Sequence, residues 1–293
     1  MQLFVCLIAL CSCSVLIGAL PQNEDEPLSK QPWSRFGPLS QYYVLGRKEK
    51  PEAVYAILKS YVNLNAAILD LGSGTGISTR QLYKNGFKHV IGVDRDPLMI
   101  KEALAANTAN CSIKYIQADI SLGLPFADEQ FDVVTASSAF HWFANPSSIK
   151  EVARILKSNG YYFIVGGKSR YHQSKKPNVL KENIERIMEE FGVKKSKKVM
   201  PSITEILEEQ SFKIIVYATV PYVNYYTKQE FLNRIQSQSS WNLVKESQRS
   251  AILKKIDQYL ETVLDKQGRI EKKGNVTVVL AQKIKEESKS IQN

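Results

Sequence analysis

Short apolar runs alternate with amphipathic segments through the first half of this chain, from about residue 51 to residue 167. The runs have the length and composition of buried strands, and they cover residues 66–71, 89–94, 113–117, 131–136 and 161–165. Between them, apolar residues recur at helical spacing, as with Val54, Ile57, Leu58 and Tyr61 after Pro51. This alternation predicts an α/β protein whose mainly parallel sheet is covered by helices on both faces. Ligands of such sheets bind at the carboxyl ends of the strands.

The alternation stops after Gly167, and helical patterns become more frequent. Helical spacing predicts helices over 180–191 and 252–263, and a capping box at Thr227 and Glu230 opens another that runs through Ile235. Strands predicted at 212–220 and 275–282 complete a sheet of seven strands, with the residues between them forming a helical cap. The predicted units are a leader over 1–20, a linker and N-terminal lid over 21–50, a core over 51–167, and a C-terminal part over 168–293 that completes the sheet and carries the cap at about 221–274.

Residues 1–20 carry no charged side chain, and acidic residues follow almost at once. This pattern predicts a signal peptide, with an uncleaved membrane anchor as the alternative and a lipoprotein signal around Cys11 and Cys13 as a third reading. A signal peptide implies secretion or an endomembrane lumen, whereas the alternatives place the protein at a membrane or in the cytoplasm. A single cysteine, Cys111, follows the leader, so no internal disulfide is expected beyond it.

The net charge of +10 lies mostly in the C-terminal part. Residues 1–160 hold 15 Lys and Arg against 14 Asp and Glu, whereas residues 161–293 hold 24 against 15. Such an excess favours an anionic partner, which can be a small carboxylate, a nucleic acid or a membrane surface, although a solvated lysine-rich surface explains it equally well.

The run Ile68 to Gly76 reads as a buried strand that turns sharply into a helix at Gly72, Gly74 and Gly76. A dinucleotide site needs G-x-G-x-x-G, and the third glycine would then fall at Ile77. The spacing is instead D-x-G-x-G-x-G. Asp94 ends the second predicted strand, where a carboxylate can accept hydrogen bonds from both hydroxyls of a ribose.

Four motifs in this order resemble the class I S-adenosylmethionine-dependent methyltransferases. They are the glycine loop, Asp94, the triplet Gln117-Ala118-Asp119 and the run LPFADEQFDVV at 124–134, which is similar to the type 11 branch of that family. The resemblance implies a Rossmann-like fold and S-adenosylmethionine as cofactor. It implies cofactor contacts from Tyr43, Asp70, Gly72, Ser73, Gly74, Gly76, Asp94, Arg95, Met99, Ala118, Asp119, Ser137 and Phe140.

The run from Ser137 to Phe143 resembles the A-x-HWF signature of small-molecule methyltransferases such as the trans-aconitate methyltransferases. Upstream, Tyr43-x-x-x-Arg47-x-x-x-Pro51 is similar to their Y-x-x-x-R-P-x-Y-P segment. Lys48 stands where that segment has its first proline, and Lys50 where it has its second tyrosine. These departures leave open which carboxylate, if any, is methylated.

The predicted function is methyl transfer to a small anionic or carboxylate-bearing acceptor. A carboxylate needs cations rather than a base, and the candidates are Lys168, Arg170 and His172 after the fifth strand. An alcohol, phenol or amine needs a base, for which His141 is the candidate; His141 can instead shape the pocket together with Trp142, or simply pack. No metal-ligand spacing and no nucleic-acid module is visible, and the oligomeric state is open. The alternatives are an RNA or protein methyltransferase that uses the basic C-terminal part, and a secreted binding protein without turnover.

Overall fold

A computed structural model describes residues 36–108, 113–166, 178–193 and 202–284. Their core is a seven-stranded sheet in the order β3-β2-β1-β4-β5-β7-β6. The first five strands are parallel, and β7 runs antiparallel between β5 and β6. The strands are β1 (Ala67–Leu71), β2 (His89–Asp94), β3 (Lys114–Gln117), β4 (Phe131–Ser137), β5 (Leu156–Val165), β6 (Phe212–Tyr226) and β7 (Ile270–Lys283). The predicted mostly parallel α/β sheet of seven strands is confirmed.

Helices cover both faces of this sheet. Neighbouring residues of β1 show this directly, because Ile68 and Leu69 belong to two separate apolar clusters on opposite faces. A third apolar cluster gathers helices α1, α6, α8 and α9 beside the sheet. The helices are α1 (Ser40–Gly46), α2 (Glu52–Lys59), α3 (Ile77–Lys84), α4 (Pro97–Ala105), α5 (Pro146–Ile155), α6 (Val179–Glu190), α7 (Ile203–Glu208), α8 (Lys228–Gln236) and α9 (Glu246–Glu261).

Strands β6 and β7 are longer than the sequence predicts. Their pairing continues from Phe212 opposite Lys283 to Tyr226 opposite Ile270. The predicted strand ends at residue 220, directly before Pro221. In the structure β6 continues through Pro221, because β6 is an edge strand, where a residue without an amide hydrogen is tolerated. The helices expected in the cap, α8 and α9, thus follow the last residue of β6 and precede the first residue of β7 in the chain. Helix α8 begins at the predicted capping box, in which Thr227 and Glu230 cap each other.

Helix α1 and the residues before it connect the helices beside the sheet to the carboxyl end of β2. Gly46 lies so close to the backbone of Arg234 in α8 that a Cβ atom would collide with it. At the other end, the amide of Gly37 donates to Oδ2 of Asp96 at 2.8 Å. Asp96 also caps α4 by accepting from the amide of Leu98. The segment from Gly37 to Gly46 is therefore packed against the residues that follow β2.

Parts of the predicted organisation lie outside the described residues. They are the leader over 1–20, the linker as far as residue 35, Cys111, the basic loop after β5 and the charged run at 194–198. Within the parts of the chain that the structure describes, no helix is both long and apolar enough to cross a membrane. Tyr61, predicted on the buried face of α2, is 44% exposed because α2 ends at Lys59.

Candidate active site

Three glycines carry the turn from β1 into α3, and all of them have positive φ: 70° at Gly72, 54° at Gly74 and 76° at Gly76. A residue with a Cβ atom is disfavoured in this region of backbone conformation. A Cβ at Gly72 would lie 2.5 Å from that of Ala139, whereas one at Gly74 would meet nothing within 4 Å. The amide of Gly72 donates to the carbonyl of Val93 in β2 at 2.8 Å. One side of the loop is therefore packed against the protein, and the side at Gly74 is open to a ligand.

Asp70 lies beneath this loop and is fully buried. Its Oδ2 accepts from the Thr79 hydroxyl and its Oδ1 from the Thr135 hydroxyl, both at 2.7 Å. Burial raises the pKa of the Asp70 carboxyl to about 6, against the effect of these two hydrogen bonds. Asp70 thus ties α3 to β4 and holds the loop from below, instead of facing the cleft as a cofactor contact.

Asp94 holds the loop from the side at the end of β2. Its Oδ2 accepts from the amide of Gly74 at 2.8 Å, and its Oδ1 accepts from the amide of Asp96 at 2.9 Å. Burial raises the pKa of the Asp94 carboxyl to about 6. A carboxylate offers about four acceptor positions, so these two bonds leave capacity for the two hydroxyls of a ribose.

The other residues expected near the adenine divide into packing and capping roles. Met99 and Ala118 are buried, at 3% and 9% exposure. Oδ1 of Asp119 accepts from the amide and the hydroxyl of Ser121, which caps a short 3-10 turn. Its Oδ2 lies 3.4 Å from the half-exposed guanidinium of Arg95. In this structure Asp119 caps the turn that follows β3.

The run after β4 does not bring His141 to the cleft. Phe140 is 6% exposed and packs on Tyr162, with ring centroids 6.0 Å apart. His141 is exposed and lies against Trp142, which also makes an edge-on contact with Phe36 at 5.4 Å. None of these side chains belongs to the lining of the cleft described next.

A cleft of about 280 Å³ opens between the glycine loop, the end of β4 and the segment that follows α1. Ser73, Ser137 and Tyr43 line it as expected. The hydroxyls of Ser73 and Ser137 are buried and have no hydrogen-bond partner among the described residues. Buried polar atoms are nearly always satisfied in native proteins, so these two indicate a polar ligand. With the open side of Gly74, they fit the methionine end of S-adenosylmethionine.

Four cationic side chains converge at this cleft. Arg47, Lys50 and Arg234 line it directly, and Lys272 reaches it through a hydrogen bond from its ammonium to the Tyr222 hydroxyl. None of these four side chains forms an ion pair at 4.0 Å or less with another described residue. We call Arg47, Lys50, Arg234 and Lys272 the cationic cluster.

Two members of the cluster are held by neutral partners. The guanidinium of Arg47 donates to the hydroxyl and the carbonyl of Ser237, at 2.8 and 3.0 Å, and stacks 4.7 Å from the Tyr43 ring centroid. The ammonium of Lys50 donates to the Ser138 hydroxyl at 2.8 Å. Ser138 has a φ of 59°, which is rare for a residue with a side chain. Ser138, which is strained and directly follows β4, thus holds the Lys50 ammonium at the cleft.

The long hairpin of β6 and β7 builds one wall of the cleft. Tyr222, Asn224 and Tyr226 alternate along β6, so they share one face of the hairpin. Lys272 pairs with Asn224 across the strands. Gly274 lies opposite Tyr222, and a Cβ there would come within 2.7 Å of the Tyr222 ring. The part of the hairpin beyond residue 220 therefore supplies both the tyrosines and one cation.

Burial and mutual repulsion both lower the pKa values of three members of the cluster. Burial lowers the pKa of Lys50 to about 8, and repulsion from Arg47, Arg234 and Lys272 contributes to the shift. Burial lowers the pKa of Lys272 to about 8 as well, with Arg234 and Arg47 adding to it. The pKa of Arg47 is also lowered by burial. Each cation lowers the pKa of its neighbours because an ammonium is less stable beside another positive charge.

Lys168, Arg170 and His172, which the sequence proposes as acceptor ligands, lie outside the described residues. Within the described ranges there is no group of three His, Cys, Asp or Glu residues placed to hold a metal ion. Among the described residues that line the cleft there is no imidazole and one carboxylate, Glu49, which pairs with Lys84 at 2.8 Å.

The sheet order, the glycine loop and Asp94 together define the cofactor half of a class I methyltransferase domain. Residues 69–164 match the model of a family described as methyltransferase domain, and this match supports S-adenosylmethionine as the cofactor. The chain is 35% identical over 99 residues to an uncharacterized methyltransferase-like protein of Schizosaccharomyces pombe. That alignment spans 34% of this chain and 37% of the relative, so the match covers well under half of either protein.

Two solved structures show the same fold at low sequence identity. Phosphoethanolamine N-methyltransferase 2 of Haemonchus contortus, solved with phosphomonomethylethanolamine and S-adenosylhomocysteine, is 16% identical with a TM-score of 0.50, over 88% of this chain and 59% of that one. The [4+2]-cyclase SpnF is 14% identical with a TM-score of 0.50, over 82% of this chain and 85% of that one. The fold is thus shared by proteins named for different reactions.

Proposed function

We propose that the protein transfers the methyl group of S-adenosylmethionine to a small anionic acceptor, with a carboxylate oxygen as the nucleophile. The observation that carries this proposal is the cationic cluster, three members of which line the same cleft as the glycine loop, with no imidazole in the described lining. Cations hold a carboxylate, and a carboxylate needs no base. An alcohol, phenol or amine acceptor needs a proton acceptor, and the carboxylate that the described lining contains, Glu49, is paired with Lys84.

Gly72, Ser73, Gly74 and Asp94 would hold the cofactor at the carboxyl ends of β1 and β2. When bound, S-adenosylmethionine supplies a methyl group that its sulfonium has already activated. A carboxylate acceptor would take this methyl group without any proton transfer. The chain has to align the acceptor behind the methyl group and to exclude water. Tyr43 and Tyr222, which border the cleft, suit the second task.

Cofactor binding is tested by titrating S-adenosylhomocysteine into the full chain by calorimetry. The Asp94→Ala variant should bind it more weakly by about 1–3 kcal/mol, the cost of leaving ribose hydroxyls without their acceptor. A matched control is Lys213→Met, a change on the exposed part of β6 that should leave affinity unaltered. Equal affinities for wild type and Asp94→Ala would exclude this site.

The acceptor is tested with methyl-labelled cofactor against separate pools of small acids, phenols, amines and RNA. We expect label in the acid pool, in a form released by mild alkali, as a methyl ester requires. Label in phenols, amines or RNA would refute a carboxylate acceptor. Cofactor binding with no transfer to any pool would instead support a binding protein that retains the fold.

A further inference from the structure

The cleft contains more positive charge than the cofactor and a simple acid can balance. The methionine end of S-adenosylmethionine has one carboxylate, but it also has an ammonium and a sulfonium, so the cofactor adds net positive charge. Its carboxylate can satisfy one member of the cationic cluster. A monoanionic acceptor satisfies one more. Two partly buried cations then stay without a counter-charge, which is unfavourable where solvent is partly excluded.

The surplus cations lie close together rather than along an extended groove. Lys50 experiences repulsion from Arg47, Arg234 and Lys272 at once, and Lys272 experiences it from Arg234 and Arg47. The residues come from three separate elements: the segment between α1 and α2, helix α8 and strand β7. Their convergence on one region favours a compact group with two charges over two carboxylates set apart on a chain.

Lys50 is held in the cleft by a dedicated set of hydrogen bonds. The side-chain amide of Gln81 in α3 accepts from the Lys50 amide at 2.8 Å and donates to the Lys50 carbonyl at 2.9 Å. Gln81 is 1% exposed and also accepts from the Tyr55 hydroxyl at 2.9 Å. Since α3 begins at the glycine loop, the same helix positions the loop and the backbone of Lys50.

We propose that Lys50, Arg234 and Lys272 form an acceptor subsite for a phosphate monoester dianion, in which Lys50 determines specificity; this rests on the proposed methyl transfer and names the anchor of its acceptor. A Lys ammonium binds phosphate as a point charge, and an Arg guanidinium binds it through paired hydrogen bonds. The phosphate anchors the molecule, and a separate carboxylate is methylated. Lys50 lies outside the segment that matches the family model, so the family match does not account for this cation.

The test uses the full chain saturated with S-adenosylhomocysteine, which occupies the cofactor half of the cleft. Three probes are titrated at constant ionic strength and pH 7.5: methyl phosphate, dimethyl phosphate and succinate. Dimethyl phosphate keeps the tetrahedral shape but has one charge, and succinate has two separated charges. We expect methyl phosphate to bind about tenfold or more tightly than either, as the loss of a charge-assisted hydrogen bond predicts.

Variants assign that preference to the cluster. Lys50→Met and Lys272→Met should each weaken methyl phosphate by about tenfold and leave S-adenosylhomocysteine affinity unchanged. Lys213→Met changes the net charge equally at the far end of β6 and should have no effect on either ligand. Unfolding curves establish that each variant is folded.

Four results would overturn the inference: equal affinity for methyl phosphate and dimethyl phosphate, tighter binding of succinate, equal losses in Lys50→Met and Lys213→Met, and no binding of methyl phosphate. Failure of the proposed function gives a different result. In that case S-adenosylhomocysteine does not bind, and methyl phosphate titrated into the cofactor-free chain still decides whether the subsite exists.

Discussion

Replacement of Lys50 by methionine should stabilise the free protein at neutral pH, although it removes a hydrogen bond. The pKa of Lys50 is lowered from 10.5 to about 8, so its charge is less favourable in the folded state than in the unfolded chain. At about 1.4 kcal/mol per pKa unit, the full shift corresponds to an upper limit of about 3 kcal/mol. Partial solvent exposure reduces this value, and loss of the bond to Ser138 costs about 1 kcal/mol. We expect a net gain of about 1 kcal/mol.

The pH dependence of this gain follows from the direction of the shift. Below pH 8, Lys50 is protonated in both states, and the folded state bears the full cost of its charge. Between about pH 8 and 10.5, the folded state releases the proton before the unfolded chain does, so wild-type stability rises with pH. Arg47, Arg234 and Lys272 face Lys50, and Lys272 loses its charge over the same range. The advantage of Lys50→Met should therefore shrink towards pH 10.

Urea unfolding at pH 7 and pH 10, followed by far-ultraviolet circular dichroism, measures this difference. Lys213→Met serves as the control, since it removes an exposed lysine from the same protein. The reasoning is refuted if Lys50→Met is less stable than wild type at pH 7, or if its advantage is the same at both pH values. Either result would mean that the cluster is solvated or balanced by charge elsewhere.

Three further substitutions test the loop and its supports. Gly74→Ala should fold with a loss of about 1 kcal/mol in unfolding free energy, because its φ is positive. It should lose most of its affinity for S-adenosylhomocysteine, because the new methyl group enters the cleft; normal affinity would show that the ligand does not bind at the open side of Gly74. Thr79→Val should cost about 1–2 kcal/mol in urea unfolding by removing one bond from buried Asp70, and no loss would show that the bond is dispensable. Gln81→Met should cost about 2 kcal/mol and weaken methyl phosphate binding by releasing Lys50, and a loss of stability alone would make Gln81 merely structural.

The cofactor half of the site could be predicted because its determinants are local in sequence. The turn at Gly72 follows directly from an apolar strand that breaks into glycines, and β2 ends at Asp94 as expected. The capping box at Thr227 likewise needs four consecutive residues to be recognised. Asp119 shows the limit of such reasoning, because a carboxylate after a strand can bind a ligand or cap the next turn. In the structure it caps the turn.

The acceptor half could not be assembled from the sequence because its residues are far apart in the chain. Arg47 and Ser237 are 190 positions apart, yet they share two hydrogen bonds. Lys272 enters the cleft because β6 and β7 pair beyond Pro221, which the local pattern treats as the end of a strand. The available signals were the basic excess of the C-terminal part and the lysine at position 50. Neither signal shows which cations meet.

The reaction carried out on this fold must be decided by the acceptor half, since proteins of similar fold are named as a methyltransferase and as a cyclase. The family match covers residues 69–164, which hold the glycine loop and Asp94. Arg47, Lys50 and the rest of the cationic cluster all lie outside that segment. Similarity in the matched segment therefore accounts for the cofactor but cannot specify the acceptor. A substitution among these flanking cations should therefore change acceptor preference while cofactor affinity stays constant.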